Sequence, residues 1–235
     1  MKEVNFLTRS EMELSRSPSE FFDWVMVKCE ELGATPEARA FAQSGALLSK
    51  KFYEELFPLA IFAQREYSSR NDVRVQPNLG NDNFDATITF LSGQTLKLYV
   101  EITFSKDGYD DSLRMEHLVK HGHVPLTGSV STLGRRGAPD RAVKVDFGAA
   151  SHSALIEKQL SLLQERIEAK ASKRYGRNHM LLVAVDDYFP LCQEGDQQHL
   201  DQFLKEQLKR LALDVARIVI VGVAGKIYLS YSGIS

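Results

Sequence analysis

Apolar residues in the first third of the chain recur at three- and four-residue spacing, which is typical of amphipathic helices. A Ser-Pro-Ser helix start precedes the first such stretch, which predicts a helix over residues 18–32. The same spacing predicts a second helix over residues 36–49 and a third over residues 50–67, in which Pro58 is a candidate kink. The N-terminal part of the chain is therefore expected to be helical.

From residue 72 the period of the pattern changes to two, which indicates strands with one apolar and one polar face. Three segments show it: VRVQPNLG, FDATITF and LKLYVEITF. The turn-like LSGQT lies between the last two. We therefore predict three strands, of which the second and third form a hairpin.

The second half of the chain mixes both patterns. A short helix is predicted over residues 110–121, followed by an irregular Gly-, Arg- and Pro-bearing segment, GSVSTLGRRGAPDRAVK, which we expect to be a mobile loop. The elements predicted beyond it are a long helix over residues 153–175, a buried strand in HMLLVAVDDYF, a helix over residues 196–212, and strands in RIVIVGV and KIYLSYS.

This order predicts an α/β protein with an αβββαβ core and a mixed central sheet flanked by helices. Residues 1–49 would be an N-terminal helical extension of an α/β domain over residues 50–235. A chain of 235 residues, 43% of them hydrophobic, can form one sizeable core. We therefore expect a single globular unit overall.

Two acidic side chains lie on the polar faces of the predicted hairpin. Asp85 is on FDATITF and Glu101 on LKLYVEITF. Folding the hairpin about Gly93 pairs residues whose numbers sum to 186, keeps all apolar residues on one face and puts Asp85 across from Glu101. Like charges at a β-carbon separation of roughly 4.5–5.5 Å destabilise a sheet, and Mg²⁺ would compensate them. The alternative is a solvent-facing hairpin whose acids repel weakly in water.

The order of the predicted elements resembles the restriction-endonuclease-like PD-D/ExK core. This order is a helix with Glu54 or Glu55, a strand, a strand with Asp85, a strand with Glu101-Ile102-Thr103, a long lysine-bearing helix and a buried strand. The resemblance covers roughly residues 50–190. It implies a metal-dependent phosphodiesterase in which Mg²⁺ or Mn²⁺ activates a water that attacks phosphorus. It also implies that Asp85, Glu101 and Ile102 hold the metal.

The chain departs from the family pattern two residues after Glu101, where Thr103 replaces the usual lysine. A threonine hydroxyl can hydrogen-bond a water but cannot supply positive charge. The candidate substitutes are Lys106, Lys97, and the helix lysines Lys158 and Lys170, of which we favour the helix pair. Of the two helix acids, Glu54 is favoured to reach the metal from the side; a solvated helix face is the alternative.

Three histidines follow in the pattern HLVKHGH, where His117 and His121 share a helix face as in metal sites, and His123 follows. The glutamate of the zinc-protease motif is missing. A solvated or packing role is the simpler interpretation. A metal-binding hydrolase of a small molecule centred on these side chains is the alternative.

Four basic residues in the Gly-rich segment could contact phosphates, or could simply form a solvated basic loop: Arg135, Arg136, Arg141 and Lys144. Asp186 and Asp187 end the buried strand, where α/β proteins often bind ligands, and could equally begin a turn.

Composition limits the compartment and the partners. The net charge of −2 provides no global basic field, so any nucleic-acid surface must be local. Cys29 and Cys192 are far apart and indicate neither a disulfide framework nor a thiolate metal site. With no signal-peptide pattern and no long apolar run, we expect a cytoplasmic protein that does not bind membranes. A homodimer is compatible with the sequence.

The sequence therefore favours Mg²⁺-dependent (or Mn²⁺-dependent) cleavage of nucleic acid, with DNA preferred as the substrate. The alternative from another class is a nuclease-like fold that has lost catalysis and serves as a binding or assembly module, which Thr103 makes credible.

Overall fold

The computed structural model describes residues 6–125, 127–134, 142–171, 173–189, 191–211 and 213–232. Eight α-helices lie within these ranges: α1 (Arg9–Met12), α2 (Pro18–Ala34), α3 (Pro36–Gln43), α4 (Leu47–Lys51), α5 (Phe57–Tyr67), α6 (Gly108–His121), α7 (His152–Ala171) and α8 (Asp196–Leu208). The strands are β1 (Val73–Pro77), β2 (Ala86–Phe90), β3 (Leu96–Phe104), β4 (Val130–Leu133), β5 (Ala142–Val145), β6 (Arg174–Val185), β7 (Asp214–Gly222) and β8 (Tyr228–Ser232).

Six strands form one mixed sheet in the order β1-β2-β3-β6-β7-β8. The first three pair antiparallel, β6 pairs parallel with both β3 and β7, and β8 closes the sheet antiparallel to β7. The parallel step from β3 to β6 requires a crossover, and α7 is the long helix within it. The prediction of an α/β protein with a mixed central sheet flanked by helices is confirmed.

Each face of the sheet has its own apolar core. On one face, α2 and α5 cover a core that includes Ile88, Val100 and Leu182. On the other face, α7 and α8 cover a core that includes Val183 and Ile220. Because successive strand residues point to opposite faces, Glu101 lies on the α7 side and Ile102 on the α2 and α5 side.

The N-terminal helices belong to the first of these cores. α2 begins in a reciprocal capping box in which Ser17 and Glu20 satisfy each other's backbone N–H groups, as the Ser-Pro-Ser start predicts. Phe21 and Val25 of α2 are completely buried in the same cluster as Phe52, Phe62 and the sheet. Residues 18–32, predicted to be helical, lie within α2.

The predicted helix over residues 36–49 is interrupted, because α3 ends at Gln43 and α4 begins at Leu47. Gly45 between them has a φ of +68°, a left-handed conformation that ends a helix at little cost only in glycine. From α4 the chain continues through a π-helical turn (Phe52–Leu56) into α5. Pro58 lies in the first turn of α5. Because proline has no N–H, it cannot donate the regular helical hydrogen bond to the carbonyl four residues earlier. The kink predicted near Pro58 is therefore a π-helical turn.

Two predictions for the second half were wrong. The long helix ends at Ala171 rather than residue 175, because β6 already begins at Arg174, pairs with Asp214 and buries Tyr175. The segment predicted to be irregular contains the antiparallel pair β4 and β5. The guanidinium group of Arg114 on α6 donates hydrogen bonds to the carbonyls of Pro125 and Gly128. These bonds connect α6 to the segment that precedes β4.

Asp187 is fully buried, and its side chain organises the turn between β7 and β8. Its carboxylate accepts hydrogen bonds from the backbone N–H groups of Ala224, Lys226 and Ile227 at 2.5, 2.7 and 3.1 Å. A β-carbon on Gly222 would lie 1.9 Å from the Asp187 Oδ2 atom, so this position requires glycine. The sequence predicted instead that Asp186 and Asp187 bind a ligand or begin the turn into Tyr188 and Phe189, and at that turn Asp186 Oδ1 accepts from the N–H of Tyr188 at 2.9 Å.

The two cysteines, Cys29 and Cys192, are free thiols. No helix in the described ranges combines the length and the apolarity needed to cross a membrane.

Candidate functional site

Asp85 lies one step beyond the regular β2–β3 ladder. The ladder itself has the predicted register, with Ala86 opposite Val100 and Thr87 opposite Tyr99. At Asp85 the backbone N–H donates to the carbonyl of Val100 at 2.8 Å, and the side-chain Oδ2 accepts from the N–H of Ile102 at 2.8 Å. Burial and the nearby charge of Glu101 raise the pKa of Asp85, against the effect of the Ile102 N–H.

Glu101 of β3 is nearly buried, and two lysines compensate its charge. The Nζ atom of Lys170, near the end of α7, lies 2.5 Å from the Oε1 atom of Glu101. The Nζ atom of Lys173 lies 3.3 Å from the same oxygen. The α7 lysine that the sequence proposed as a substitute at this site, Lys170, therefore contacts the second acid of the motif.

The π-helical turn and the end of α4 bring a second ion pair to Asp85. The Nζ atom of Lys51 lies 2.7 Å from the Oε1 atom of Glu55 and 3.6 Å from the Oδ1 atom of Asp85. Burial and the neighbouring Asp85 raise the pKa of Glu55 to about 7. Of the two candidate helix acids, Glu55 is therefore the one that lies beside the strand carboxylates, whereas Glu54 contacts Lys106.

The raised pKa of Glu55 predicts a specific pH dependence of stability. Because the folded protein binds this proton more tightly than the unfolded chain, the free energy of unfolding should fall as pH rises from about 4.5 to about 7. The expected loss from this group is at most about 3 kcal/mol. Urea unfolding at several pH values should show a shallower fall for Glu55→Gln, while Glu206→Gln, on an exposed position of α8, should follow the wild type. Parallel pH profiles for wild type and Glu55→Gln would contradict the assignment.

A cleft of about 1110 Å³ lies beside Glu55, and Glu54, Glu55, Thr103, Lys106 and Arg166 are among its lining residues, whereas Asp85 and Glu101 are not. In it, Glu54 and Lys106 form an ion pair with a 3.0 Å separation between Oε1 and Nζ. Thr103 is half-buried on β3, and Arg166 of α7 donates to the carbonyl of Lys106 at 2.9 Å. Glu54 and Lys106 therefore neutralise each other at the cleft wall.

The other candidate lysines lie elsewhere. Lys158 is about 18 Å from Lys170 along α7, judged from the helical rise, and its Nζ atom is 3.5 Å from the Oδ2 atom of Asp110. Lys97 is exposed on the same face of β3 as Glu101, four residues before it. Of the predicted helix pair, the structure brings only Lys170 to the strand carboxylates.

Two buried side chains lie near Glu101, Tyr175 and His179, with exposed fractions of 7% and 8%. Burial, the Glu101 charge and a hydrogen bond to the Glu101 carboxylate raise the pKa of Tyr175, whereas burial lowers the pKa of His179 despite that charge. The Nε2 atom of His179 has no hydrogen-bond partner among the described residues. A buried polar atom of this kind normally binds water or a ligand.

The three histidines cluster at the end of α6. The ring centroids of His117 and His121 are 4.3 Å apart, and that of His123 is 5.9 Å from His117. The Nδ1 atom of His117 is buried without a hydrogen-bond partner in the described part of the chain. Across the described ranges, these histidines included, no three His, Cys, Asp or Glu side chains form a group arranged to hold a metal ion. The histidine-centred alternative gains no support from this geometry.

The predicted basic loop is only partly described. Arg135, Arg136 and Arg141 lie outside the described residues. Lys144 lies on β5, where its Nζ atom is 2.9 Å from the Oδ1 atom of Asp146 and its side chain is exposed.

The donor set around Asp85 fits a hard divalent cation. Mg²⁺ commonly uses one or two carboxylates together with waters, so Asp85 and Glu101 suffice without a third acidic side chain. Burial raises the pKa of both Asp85 and Glu55, and a neighbouring carboxylate adds to it in each case, Glu101 for Asp85 and Asp85 for Glu55; a cation would relieve this repulsion. Asp85 and Glu101 would hold the ion, with Glu55 next to them.

Sequence reasoning missed two side chains of this site, Lys51 and Lys173. Lys51 and Glu55 are four residues apart, a spacing that indicates a helical ion pair, but nothing in the sequence shows that the pair faces Asp85. Lys173 was assigned to a helix that in fact ends before it. Its contact with Glu101 depends on where α7 stops.

Comparisons of the chain with protein-family models, with curated proteins and with solved structures find no match.

Proposed function

We propose that this protein is a metal-dependent phosphodiesterase that hydrolyses nucleic acid, with DNA as the preferred substrate. The observation that carries the proposal is the 2.5 Å contact between Lys170 and Glu101, because it brings a lysine to the acid pair although the motif position itself is Thr103. The wider resemblance to the restriction-endonuclease-like core, with Asp85 on the edge of β2 and Glu101-Ile102-Thr103 on β3, is part of the same proposal.

The reaction breaks one phosphorus–oxygen bond with water and forms a phosphate monoester and a free hydroxyl group. A divalent cation bound to Asp85 and Glu101, next to Ile102, would lower the pKa of a coordinated water and polarise a phosphate oxygen. Lys170 holds Glu101 in position and supplies positive charge near the developing negative charge at phosphorus. The hydroxyl of Thr103, which lines the cleft, can donate a hydrogen bond to a phosphate oxygen or a water.

Glu55 would serve as the proton acceptor of this reaction. A pKa of about 7 lies near the operating pH, where a general base is most effective. Lys51 orients the Glu55 carboxylate through its 2.7 Å contact and would be shared with Asp85. The cleft wall beside Glu55 gives a substrate access to this acid.

A second candidate function is a nuclease-like module that binds a partner without catalysis. The observation that favours it is the ionic saturation of the acid pair: Lys170 and Lys173 compensate Glu101, and Lys51 lies beside Asp85. These lysines, rather than the metal ion that the sequence predicted, then compensate the negative charges of the acid pair. In this alternative the cluster is a structural ion network.

Calorimetric titration with Mn²⁺ separates the two candidates. The proposal expects binding by the wild type, tightening between pH 6 and pH 8 as Glu55 loses its proton, and loss of binding in the Asp85→Ala, Glu101→Ala double variant. The Asp107→Ala, Asp110→Ala double variant removes the N-cap acid of α6 and an acid of its first turn, both outside the pair, and should bind as the wild type does. No heat of binding from the folded wild type, with substrate present or absent, would sink the metal-dependent function.

A further inference from the structure

A basic surface borders the acid pair along the sheet. Two of its residues, Lys97 and Tyr99, lie on β3, Lys173 directly precedes β6, and Arg174 and Arg177 lie at the start of β6. We call these five residues the basic face. We propose that the basic face binds a single-stranded nucleic acid, with phosphates on its cations and an unpaired base against Tyr99. This inference rests on the proposed function and specifies its substrate.

The register of the sheet makes the basic face continuous with the site. Tyr99 of β3 and His179 of β6 form the first pair of this ladder, and Lys97 and Arg177 lie two residues before it on their strands. Two residues later on β3 is Glu101, which also contacts Lys173. A strand bound along this surface would therefore lead to the Glu101 carboxylate.

Charge complementarity identifies the occupant. The four cations of the basic face are exposed, although the whole chain has a net charge of −2. The acidic groups that face them are Glu101, contacted by Lys173, and Asp214, which is opposite Arg174 and accepts from the N–H of Gly176 at 3.1 Å. Concentrated positive charge on a weakly acidic protein provides a local site for phosphates.

The sheet is open to a ligand on this side at β2 and β3. Over β6 and β7 the same face is covered by α7 and α8, whose side chains form the core around Val183 and Ile220. Over β2 and β3 it carries Thr87, Thr89 and Tyr99, which are only partly buried, and Lys97, which is exposed. A polar, partly aromatic sheet surface of this kind suits an extended nucleic-acid strand.

The aromatic side chains indicate an unpaired base. The ring centroid of Tyr99 is 4.7 Å from that of Phe84 and 5.0 Å from that of His179, and His179 lies 5.8 Å from Tyr175. This row crosses the sheet beside the acid pair. Phe84 and Tyr99 keep part of their rings in solvent, whereas His179 and Tyr175 are buried behind them. Stacking on a ring requires a base released from its duplex, so the row favours a single strand.

An independent observation points to a ligand at the same place. The Nε2 atom of His179, in this row, has no hydrogen-bond partner in the described residues. The Nδ1 atom of the same ring contacts the Oδ1 atom of Asn178 at 3.1 Å, an arrangement in which Nδ1 donates and Nε2 is left as an acceptor. This buried nitrogen is available to a sugar hydroxyl, a base edge or a bridging water.

The test is fluorescence anisotropy with a labelled 15-mer, single-stranded or as a duplex, in EDTA so that binding is measured without cleavage. We expect the single strand to bind at least tenfold more tightly than the duplex. Tyr99→Leu should weaken single-strand binding about tenfold, whereas Tyr99→Phe, which keeps the ring, should stay within twofold of the wild type. Circular dichroism spectra confirm that both variants fold.

The contribution of the cations is read from salt dependence. The Arg174→Ala, Arg177→Ala double variant should reduce the slope of log affinity against log salt by about 1.4, which corresponds to two phosphate contacts on a single strand. The Lys209→Ala, Arg210→Ala double variant removes two exposed basic residues after α8 and should leave the slope unchanged.

Each failure has a separate meaning. Equal affinity for single strand and duplex, unchanged binding by Tyr99→Leu, or no binding of either oligonucleotide overturns the inference. If single strands bind as expected but are not cleaved in Mn²⁺, the nuclease function fails and the basic face stands. If cleavage occurs while the basic-face variants bind as the wild type does, the basic face fails and the nuclease function stands.

Discussion

Asp85→Asn and Glu101→Gln are each expected to reduce nucleic-acid cleavage in Mn²⁺ by about 10³-fold or more. Both substitutions keep side-chain size and remove the negative charge that would hold the cation, whose charge stabilisation contributes several kcal/mol to catalysis. The measurement is the initial rate on a labelled oligonucleotide, with unfolding curves showing that each variant folds. Cleavage by both variants at the wild-type rate would exclude this acid pair as the metal site.

The two lysines of α7 provide a matched comparison in the same assay. Lys170→Met should reduce the rate about 10²- to 10³-fold, because the side chain supplies positive charge beside Glu101. Lys158→Met removes a charge from the same helix but pairs with Asp110, and should stay within twofold of the wild type. A large effect at Lys158 with none at Lys170 would reverse the assignment of the motif lysine.

Asp187→Ala is expected to destabilise the protein by about 3–5 kcal/mol. The substitution removes a buried carboxylate and leaves three backbone N–H groups of the β7–β8 turn without their acceptor. The measurement is the urea midpoint and slope of equilibrium unfolding.

Asp186→Ala is the control for this experiment. Asp186 is the preceding residue, and its side chain accepts one hydrogen bond, from the N–H of Tyr188 at 2.9 Å. Its removal should cost roughly 1 kcal/mol. Equal losses in the two variants would show that the turn does not depend on the Asp187 carboxylate.

The local pattern of the chain predicted most of its elements. The period of two over residues 84–104 gave β2, β3 and their register, because a slip by one residue would move apolar side chains such as Ile88 and Val100 out of the core. The continuous apolar run before Asp186 similarly indicated a strand buried on both faces, which is β6. These elements can be predicted because their apolar side chains must be buried away from water, and the spacing of those side chains is visible in the sequence.

Element ends were less predictable where a tertiary contact competes with local propensity. The helical pattern of α7 extends to residue 175, yet pairing with β7 and burial of Tyr175 favour a strand from Arg174. The π-helical turn before Pro58 follows from a missing backbone N–H, but its consequence, the orientation of Glu55 toward Asp85, depends on packing against β3.

The sequence by itself determined the α/β class, the strand register and the placement of Asp85 and Glu101 on neighbouring strands, since these follow from the spacing of apolar residues. Only the tertiary structure decided which cations compensate the acid pair. Lys170 and Lys158 lie on the same helix, and just one of them reaches Glu101, because the crossover from β3 to β6 places the end of α7 over that carboxylate. Long-range positions of this kind are set by how the whole sheet packs against its helices, which no local pattern records.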